Sequence, residues 1–277
     1  MLIALDTATE WCSVGLASTD LTDMLIDSRR IGTGHSAYLL PMLDDLLRQR
    51  QTPVSAISTI VVTVGPGSFT GLRIACGVAH GLALSQNLPV IPLSTLEVIA
   101  QRFKGQAHPT VVCLDARMDE LYCAVFDAKG VRLIADFVGK PDEVSARVVT
   151  LLDTKPFNAA GNGWALATTK KCLMFSLVNQ IDEQAYPQAS DMLYLGAKQL
   201  SLDPRTDTGL TVDLATSPAA SSMISSNKNR IRNQRWLAQN ALPIYIRNDI
   251  ALDIAAQRQL RWVNEQSRLQ DTQAAGQ

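Results

Sequence analysis

"GPGSFTGLR", residues 65–73, follows the apolar run "ISTIVVTV" (57–64) and precedes "IACGVAHGLAL" (74–84). A β-branched run of this kind suits a strand covered on both faces, and the segment from 70 to 86 has helical spacing. Such a strand–loop–helix unit exposes backbone amides at a helix N-terminus, where an anion can sit. The plainer alternative is a tight turn with Ser68 or Thr70 as helix N-cap. The loop alone leaves both open, but it excludes two specific chemistries. A nucleophile elbow needs glycines two residues either side of its serine, and Pro66 and Thr70 stand there. A P-loop needs a lysine directly after its second glycine, and Arg73, two residues after Gly71, is not that lysine.

The helix that follows carries small residues in two places. Gly71, Ala75, Ala79 and Ala83 recur every four residues, while Gly77 and Gly81 lie across the stripe Ile74, Val78 and Leu82. Each interior glycine costs roughly 0.5–1 kcal/mol relative to alanine, a cost that close backbone approach offsets. Small residues on both sides mean either that a second body packs there or that the helix is internal and packed on both sides. The segment before it, "SAYLLPMLDDLLRQRQ" (36–51), has Leu39, Leu43, Leu46 and Leu47 at helical spacing. Pro41 should fall in the first turn of that helix or kink it.

Upstream, "LIAL", "DTATE" and "WCSVGLAS" read as strand, turn and strand. The pattern "LDTATEWCSV" (5–14) returns as "LDARMDELYCAV" (114–125), with a longer turn. The echo predicts two related lobes, in which 5–16 and 112–126 are equivalent hairpins. The first lobe, 1–103, ends with a strand in "LPVIPLS", finishing near Ser94, and with "TLEVIAQRF". The second, 104–202, contains a glycine turn, "AGNGW" (160–164), and a helix, "SDMLYLGAKQLS" (190–201), with Ser190 as N-cap. Residues 203–235, rich in Ser, Thr, Asn and Asp, read as a flexible insertion. The remainder, 236–277, has strand-like patterning in "LPIYIRND" and a glutamine-rich helix that frays into a tail.

With 47% apolar residues, 18% charged residues and a net charge of −1 over 277 residues, the chain has an ordinary globular composition. It lacks the strong basic excess of a stand-alone nucleic-acid binder. The five cysteines (Cys12, Cys76, Cys113, Cys123 and Cys172) show no C-x-x-C spacing, which points to reduced thiols in a cytosolic protein. The start has no basic n-region, and no window is long and apolar enough for a membrane span, so a cytoplasmic location is expected.

Candidate chemistry is sparse. His35, His80 and His108 are well separated, and the fourth residue after His35 is Leu39, so no histidine metal pair forms. His80 lies mid-helix as a surface or packing residue. His35 stands at a helix entrance, in a capping or interface role. Asp6 and Asp115 each end a strand at a polar turn. There an aspartate can hold hydrated Mg²⁺ beside phosphates, with Thr7 and Thr9 near, or it can cap turn amides. With no lysine or catalytic base at hand, the turn role is preferred. Lys228, Arg230, Arg232 and Arg235 with Trp236 could touch RNA, although a solvated charge run is the simpler account.

Five stretches, "LIALDTATEWCSVGLAS", "GHSAYLLPMLDDLL", "VGPGSFTGLRIACGVAHGLAL", "DARMDELYCAVF" and "ALPIYIRND", resemble in this order the TsaB (YeaZ) family. These are partner subunits in synthesis of the tRNA modification N6-threonylcarbamoyladenosine. The likeness covers about 1–200 well and 240–250 thinly, while 203–235 and the tail have no counterpart. It implies an α/β, two-lobed, actin-like and sugar-kinase-like ATPase fold with duplicated hairpin-plus-helix lobes. It implies a non-catalytic subunit that binds and activates a TsaD-type catalytic subunit for modification at position 37 of ANN-decoding tRNAs. A TsaE-type ATPase would assist, the chain alone would be a homodimer, and tRNA would be met only through the complex, away from membranes.

TsaD-type subunits carry an H-x-x-x-H metal pair, whereas here Leu39 follows His35, so neither metal nor catalytic residues are expected. The partner interface implied comprises His35, Leu39, Leu43, Leu46, Arg73, Ile74, Gly77, Val78 and Gly81, on adjacent helices. A vestigial nucleotide or anion site would involve Asp6, Thr7, Thr9, Gly67, Ser68, Asp115, Gly161 and Gly163. No cofactor is expected to bind tightly; ATP or ADP with Mg²⁺ is expected, if anywhere, at the interface of the assembled complex. The rivals are an ATP-dependent phosphotransferase of the same fold and a glycoprotease-like metallopeptidase.

Overall fold

The computed structural model describes residues 1–201, 242–244 and 246. The insertion at 203–235, the basic cluster from Lys228 to Trp236 and the glutamine-rich tail lie outside the described residues, as does half of "LPIYIRND".

The first echo segment is a hairpin, β1 (Leu2–Asp6) paired antiparallel with β2 (Trp11–Ala17). It continues into an edge strand, β3 (Met24–Arg30), which the sequence reading does not anticipate. On the other side of β1 run two parallel strands, β4 (Thr59–Gly65) and β5 (Val90–Ser94), giving the order β3-β2-β1-β4-β5. The second echo segment does the same. Strands β6 (Thr110–Arg117), β7 (Glu120–Phe126) and β8 (Arg132–Gly139) are antiparallel neighbours, with β9 (Phe157–Ala160) and β10 (Val178–Asp182) parallel beyond β6. The order β8-β7-β6-β9-β10 repeats that of the first sheet. This duplication is the α/β architecture with repeated hairpin-plus-helix sheets that the echo implies.

Helices α1 (His35–Gln49) and α2 (Phe69–Gln86) cover one face of the first sheet. Ile3, Leu5, Val14, Leu16, Ile60 and Val62 meet Leu39, Met42, Leu43, Leu46, Ala75 and Ala79 there. Each leucine fully buried in this way contributes roughly 1.5–3 kcal/mol. In the second sheet, α4 (Pro141–Leu152) packs Val144 and Val148 beside Phe157 and Trp164. Where the first sheet has α2 between its parallel strands, the second has only short turns around a four-residue α5 (Ala167–Lys170).

The remaining helices are exchanged. Helix α3 (Thr95–Gln101), from the first half of the chain, sets Leu96 and Ile99 on Val112, Leu114, Ala124 and Phe126 of the second sheet. Helix α6 (Ala189–Ser201), from the second half, sets Met192 and Leu193 on Leu2, Ala4, Val61 and Ile91 of the first.

Several boundaries differ from those expected. Pro41 lies inside α1 rather than in its first turn, on the exposed side, and the helix runs on to Gln49. The carbonyl that loses its N–H partner there faces outward, where the loss is cheapest. Strand β4 starts two residues late because a short 3₁₀ turn, Val54–Ala56, precedes it. Ser190 is not the N-cap of α6: the helix begins at Ala189, whose N–H donates to Ser13 Oγ at 2.9 Å.

Candidate functional site

The glycine loop is a backbone joint. Ser68 caps α2, its Oγ accepting the Gly71 N–H at 3.2 Å, and its own N–H donates to the Ala8 carbonyl at 2.7 Å. Thr70 is exposed and plays no capping part. The Thr7 hydroxyl donates to the Gly71 carbonyl at 2.6 Å. A Cβ on residue 67 would strike the Ala8 carbonyl, and one on residue 71 the Thr7 carbonyl. Both glycines therefore let the loop lie against the β1–β2 turn. Two amides that an anion would need are already committed within the protein.

Asp6 is buried beneath this joint. Its Oδ1 accepts the Thr63 hydroxyl and the Ala8 N–H, and its Oδ2 has no partner. Burial pushes its carboxyl up to about 7 despite those two bonds. Asp115 caps the second hairpin turn, taking the Arg117 N–H at 2.7 Å and pairing with the Arg117 guanidinium at 3.1 Å. Both aspartates are turn-capping residues in this arrangement. Gly161, at φ +99°, and Gly163 bring their turn against the Cys113 carbonyl, and Thr9 Oγ1 accepts the Trp11 N–H at 3.3 Å.

Between the two sheets lies a cleft of about 110 Å³, lined among others by Thr9, Trp11, Arg30, Asn162, Glu183 and Tyr186. Sites built for small molecules usually span roughly 300–1,000 Å³. Trp11 stacks on Tyr186 with ring centroids 3.9 Å apart and an interplanar angle of 5°. Of the residues expected around a nucleotide, only Thr9 reaches this cleft; Asp6, Thr7, Gly67, Ser68, Asp115, Gly161 and Gly163 do not line it.

His35 is buried, its Nε2 without a partner. Burial lowers its pKa, and hydrogen bonds to the backbone of Trp11 and Thr9 partly offset this. Leu39, in the place of a second histidine, is core. Among the described residues no group of three His, Cys, Asp or Glu side chains is placed to hold a metal ion.

Helices α1 and α2 lie side by side, as expected, but the outward face of α1 is not the leucine stripe. Leu39, Leu43 and Leu46 are 1%, 3% and 5% exposed and belong to the core of their own lobe. The inner sheet claims them, together with Met42 and Leu47, as the buried face of α1. Outward, displaced by one position, stand Tyr38 and Leu40, 44% and 50% exposed.

On α2 the small residues divide. Gly71, Ala75, Ala79 and Ala83 are buried toward the sheet, and Ile74, Val78 and Leu82 are half-buried at its flank. Gly77 and Gly81 are open: among the described residues, beyond their own helix backbone, no atom lies within 4 Å of a Cβ added at either. They share one winding face with Phe69, Arg73 and Leu84, all exposed, and the Arg73 guanidinium lies 3.7 Å over the Phe69 ring. Tyr38, Leu40, Phe69 and Leu84 were missed in the sequence. The last two were findable, at helical spacing from the paired glycines.

The family model for TsaD, tRNA N6-adenosine threonylcarbamoyltransferase, matches residues 29–208. The "tRNA threonylcarbamoyladenosine biosynthesis protein TsaB" of Escherichia coli is 31% identical over 90% of this chain and 96% of its own length. The protein of the same description from Haemophilus influenzae is 34% identical over 59% and 72%. Among solved structures, YeaZ from Pseudomonas aeruginosa superposes with a TM-score of 0.63 at 29% identity, covering 88% of this chain and 99% of that one.

Proposed function

This chain belongs to the TsaB (YeaZ) family of tRNA threonylcarbamoyladenosine biosynthesis proteins, and from that premise we propose that it is a non-catalytic subunit activating a TsaD-type partner. The observation that carries this reading is the open pair Gly77 and Gly81. Each costs helix stability of roughly 0.5–1 kcal/mol, and no contact among the described residues offsets it. A helix from another subunit, seated at the short end of the usual 8–10 Å separation, supplies the offset. Tyr38, Leu40, Phe69 and Leu84 add apolar area around the glycines, and Arg73 adds a charged rim.

In this reading the partner holds the reacting groups and modifies position 37 of ANN-decoding tRNAs. The present chain meets tRNA through the complex, in keeping with its net charge of −1. A TsaE-type ATPase assists, ATP or ADP with Mg²⁺ belongs to the assembled complex, and alone the same glycine face pairs two copies in the cytoplasm. The commitment of the Ser68 and Gly71 amides within the protein favours a subunit over a phosphotransferase.

The test is co-purification with the cognate TsaD-type subunit, followed by tRNA threonylcarbamoylation with and without this chain. Modification should require both chains. Modification by the partner at full rate without this chain, or by this chain alone, would sink the proposal.

A further inference from the structure

The glycine loop is held on a second side by a distant part of the chain. Val64 sits at a break in the β4–β5 ladder, between the pairs Thr63↔Leu93 and Gly65↔Ser94. Its carbonyl accepts the backbone N–H of Ile244 at 2.6 Å. The Ile244 carbonyl oxygen in turn lies 2.8 Å from where a Cβ on residue 65 would stand, with Leu72 Cδ1 3.2 Å away on the same position. Gly65 has a φ of +118°. Two separate restrictions therefore fall on residue 65: a conformation that L side chains rarely adopt, and a neighbouring backbone in the space of its side chain. The side chains of Leu242 and Ile244 point outward, 60% and 57% exposed, so the contact is made by backbone.

We propose that residues 242–244 are a brace for the glycine loop, closed by the Ile244–Val64 hydrogen bond. The loop is thus clamped between the β1–β2 turn on one side, through Ser68 and Ala8, and the C-terminal segment on the other. Because Ser68 at the end of the loop caps α2, the brace also sets the first turn of that helix, where Phe69 and Arg73 are exposed. Residues far along the chain from α2 then govern the end of its open face. This last step rests on the partner-subunit reading above.

Amide hydrogen exchange on the full-length chain tests the brace. The Ile244 amide should be protected, and exchange at the rate of an open peptide would overturn the proposal outright. Ile244→Pro removes the N–H donor, while also fixing φ and replacing the side chain, which the alanine variant controls for. It should speed exchange at Ser68 and Gly71 by roughly 2- to 12-fold, the value of one hydrogen bond, and leave β6 and β7 unchanged. Unchanged Ser68 and Gly71, or acceleration spread equally through β6 and β7, would overturn it. Ile244→Ala keeps the donor and should behave as wild type. If it loosens the loop as much as proline does, the side chain makes the brace and the backbone mechanism falls.

The same variants are then titrated against the TsaD-type subunit. Ile244→Pro should bind several-fold more weakly, and equal binding with a loosened loop would defeat the link to α2. A wild-type chain that does not bind at all would speak against the partner reading, while the exchange result still decides the brace.

Discussion

Thr7 and Gly71 hold each other twice. The Thr7 hydroxyl donates to the Gly71 carbonyl at 2.6 Å, and the Thr7 carbonyl occupies the space of a Cβ on residue 71. Gly71→Ala must therefore push apart two backbones, neither of which is the free end of a side chain. Overpacking of this kind costs about 3 kcal/mol, and urea denaturation of the variant should show a loss of that order. A loss below about 0.5 kcal/mol would mean that the loop yields freely.

Gly77 predicts the opposite. Its open position makes Gly77→Ala stabilising for the free chain by roughly 0.5–1 kcal/mol, since only helix propensity changes. Gly77→Leu should melt no lower than wild type yet bind the partner about 5- to 150-fold more weakly, as a crowded contact costing about 1–3 kcal/mol requires. Size-exclusion chromatography with the TsaD-type subunit and thermal melting of the free chain read the two effects separately. A lowered melting point with normal pairing would show that this face packs within the chain.

Asp6 makes stability depend on pH in an unusual direction. Its carboxyl keeps a proton in the folded chain up to about 7, against an ordinary value of 3.8 once unfolded. The folded state thus binds the extra proton between those values. The contribution is complete below 3.8 and is lost as pH rises through about 7, after which it is flat. Urea midpoints should be higher at pH 5 than at pH 8, by an amount on the order of 1 kcal/mol or more. In Asp6→Asn, which cannot ionise, that gap should shrink. An Asp6→Asn protein with the full wild-type gap would assign the dependence to other groups.

The thiols should be silent. All five cysteines are free and buried. Burial pushes Cys12 and Cys76 up to about 12 and Cys172 up to about 11, so the nucleophilic thiolate is scarce near neutrality. Titration with a disulfide reagent at pH 8 should find essentially no reactive thiol in the folded chain and all five after denaturation. Fast modification of even one would show local opening.

Much of the fold was legible because it is written locally and twice. The Leu-Asp-turn echo placed both hairpins, and β4 stood out because a strand covered on both faces has no polar alternation to blur it. Strands β3 and β8 were missed for the converse reason: "MLIDSRR" lies on an edge, half exposed, and mixes charge with apolar residues until neither period shows. The exposed face was legible on α2 and misread on α1. Periodicity finds an apolar stripe but does not say which body buries it. The sheet took Leu39, Leu43 and Leu46, leaving Tyr38 and Leu40 outward. Glycines are more telling, because Gly77 and Gly81 have no packing reason among the described residues.

The exchange of α3 and α6 has a consequence for how the molecule can be taken apart. A fragment ending near residue 103 would keep every strand of the first sheet but lose α6, baring Leu2, Ala4, Val61 and Ile91 to water. The complementary fragment would lose α3 and bare Val112, Leu114 and Phe126. Each half holds the lid of the other. Neither lobe can be excised as a soluble module along the line that its strands suggest, and the described chain should lose both sheets in one transition.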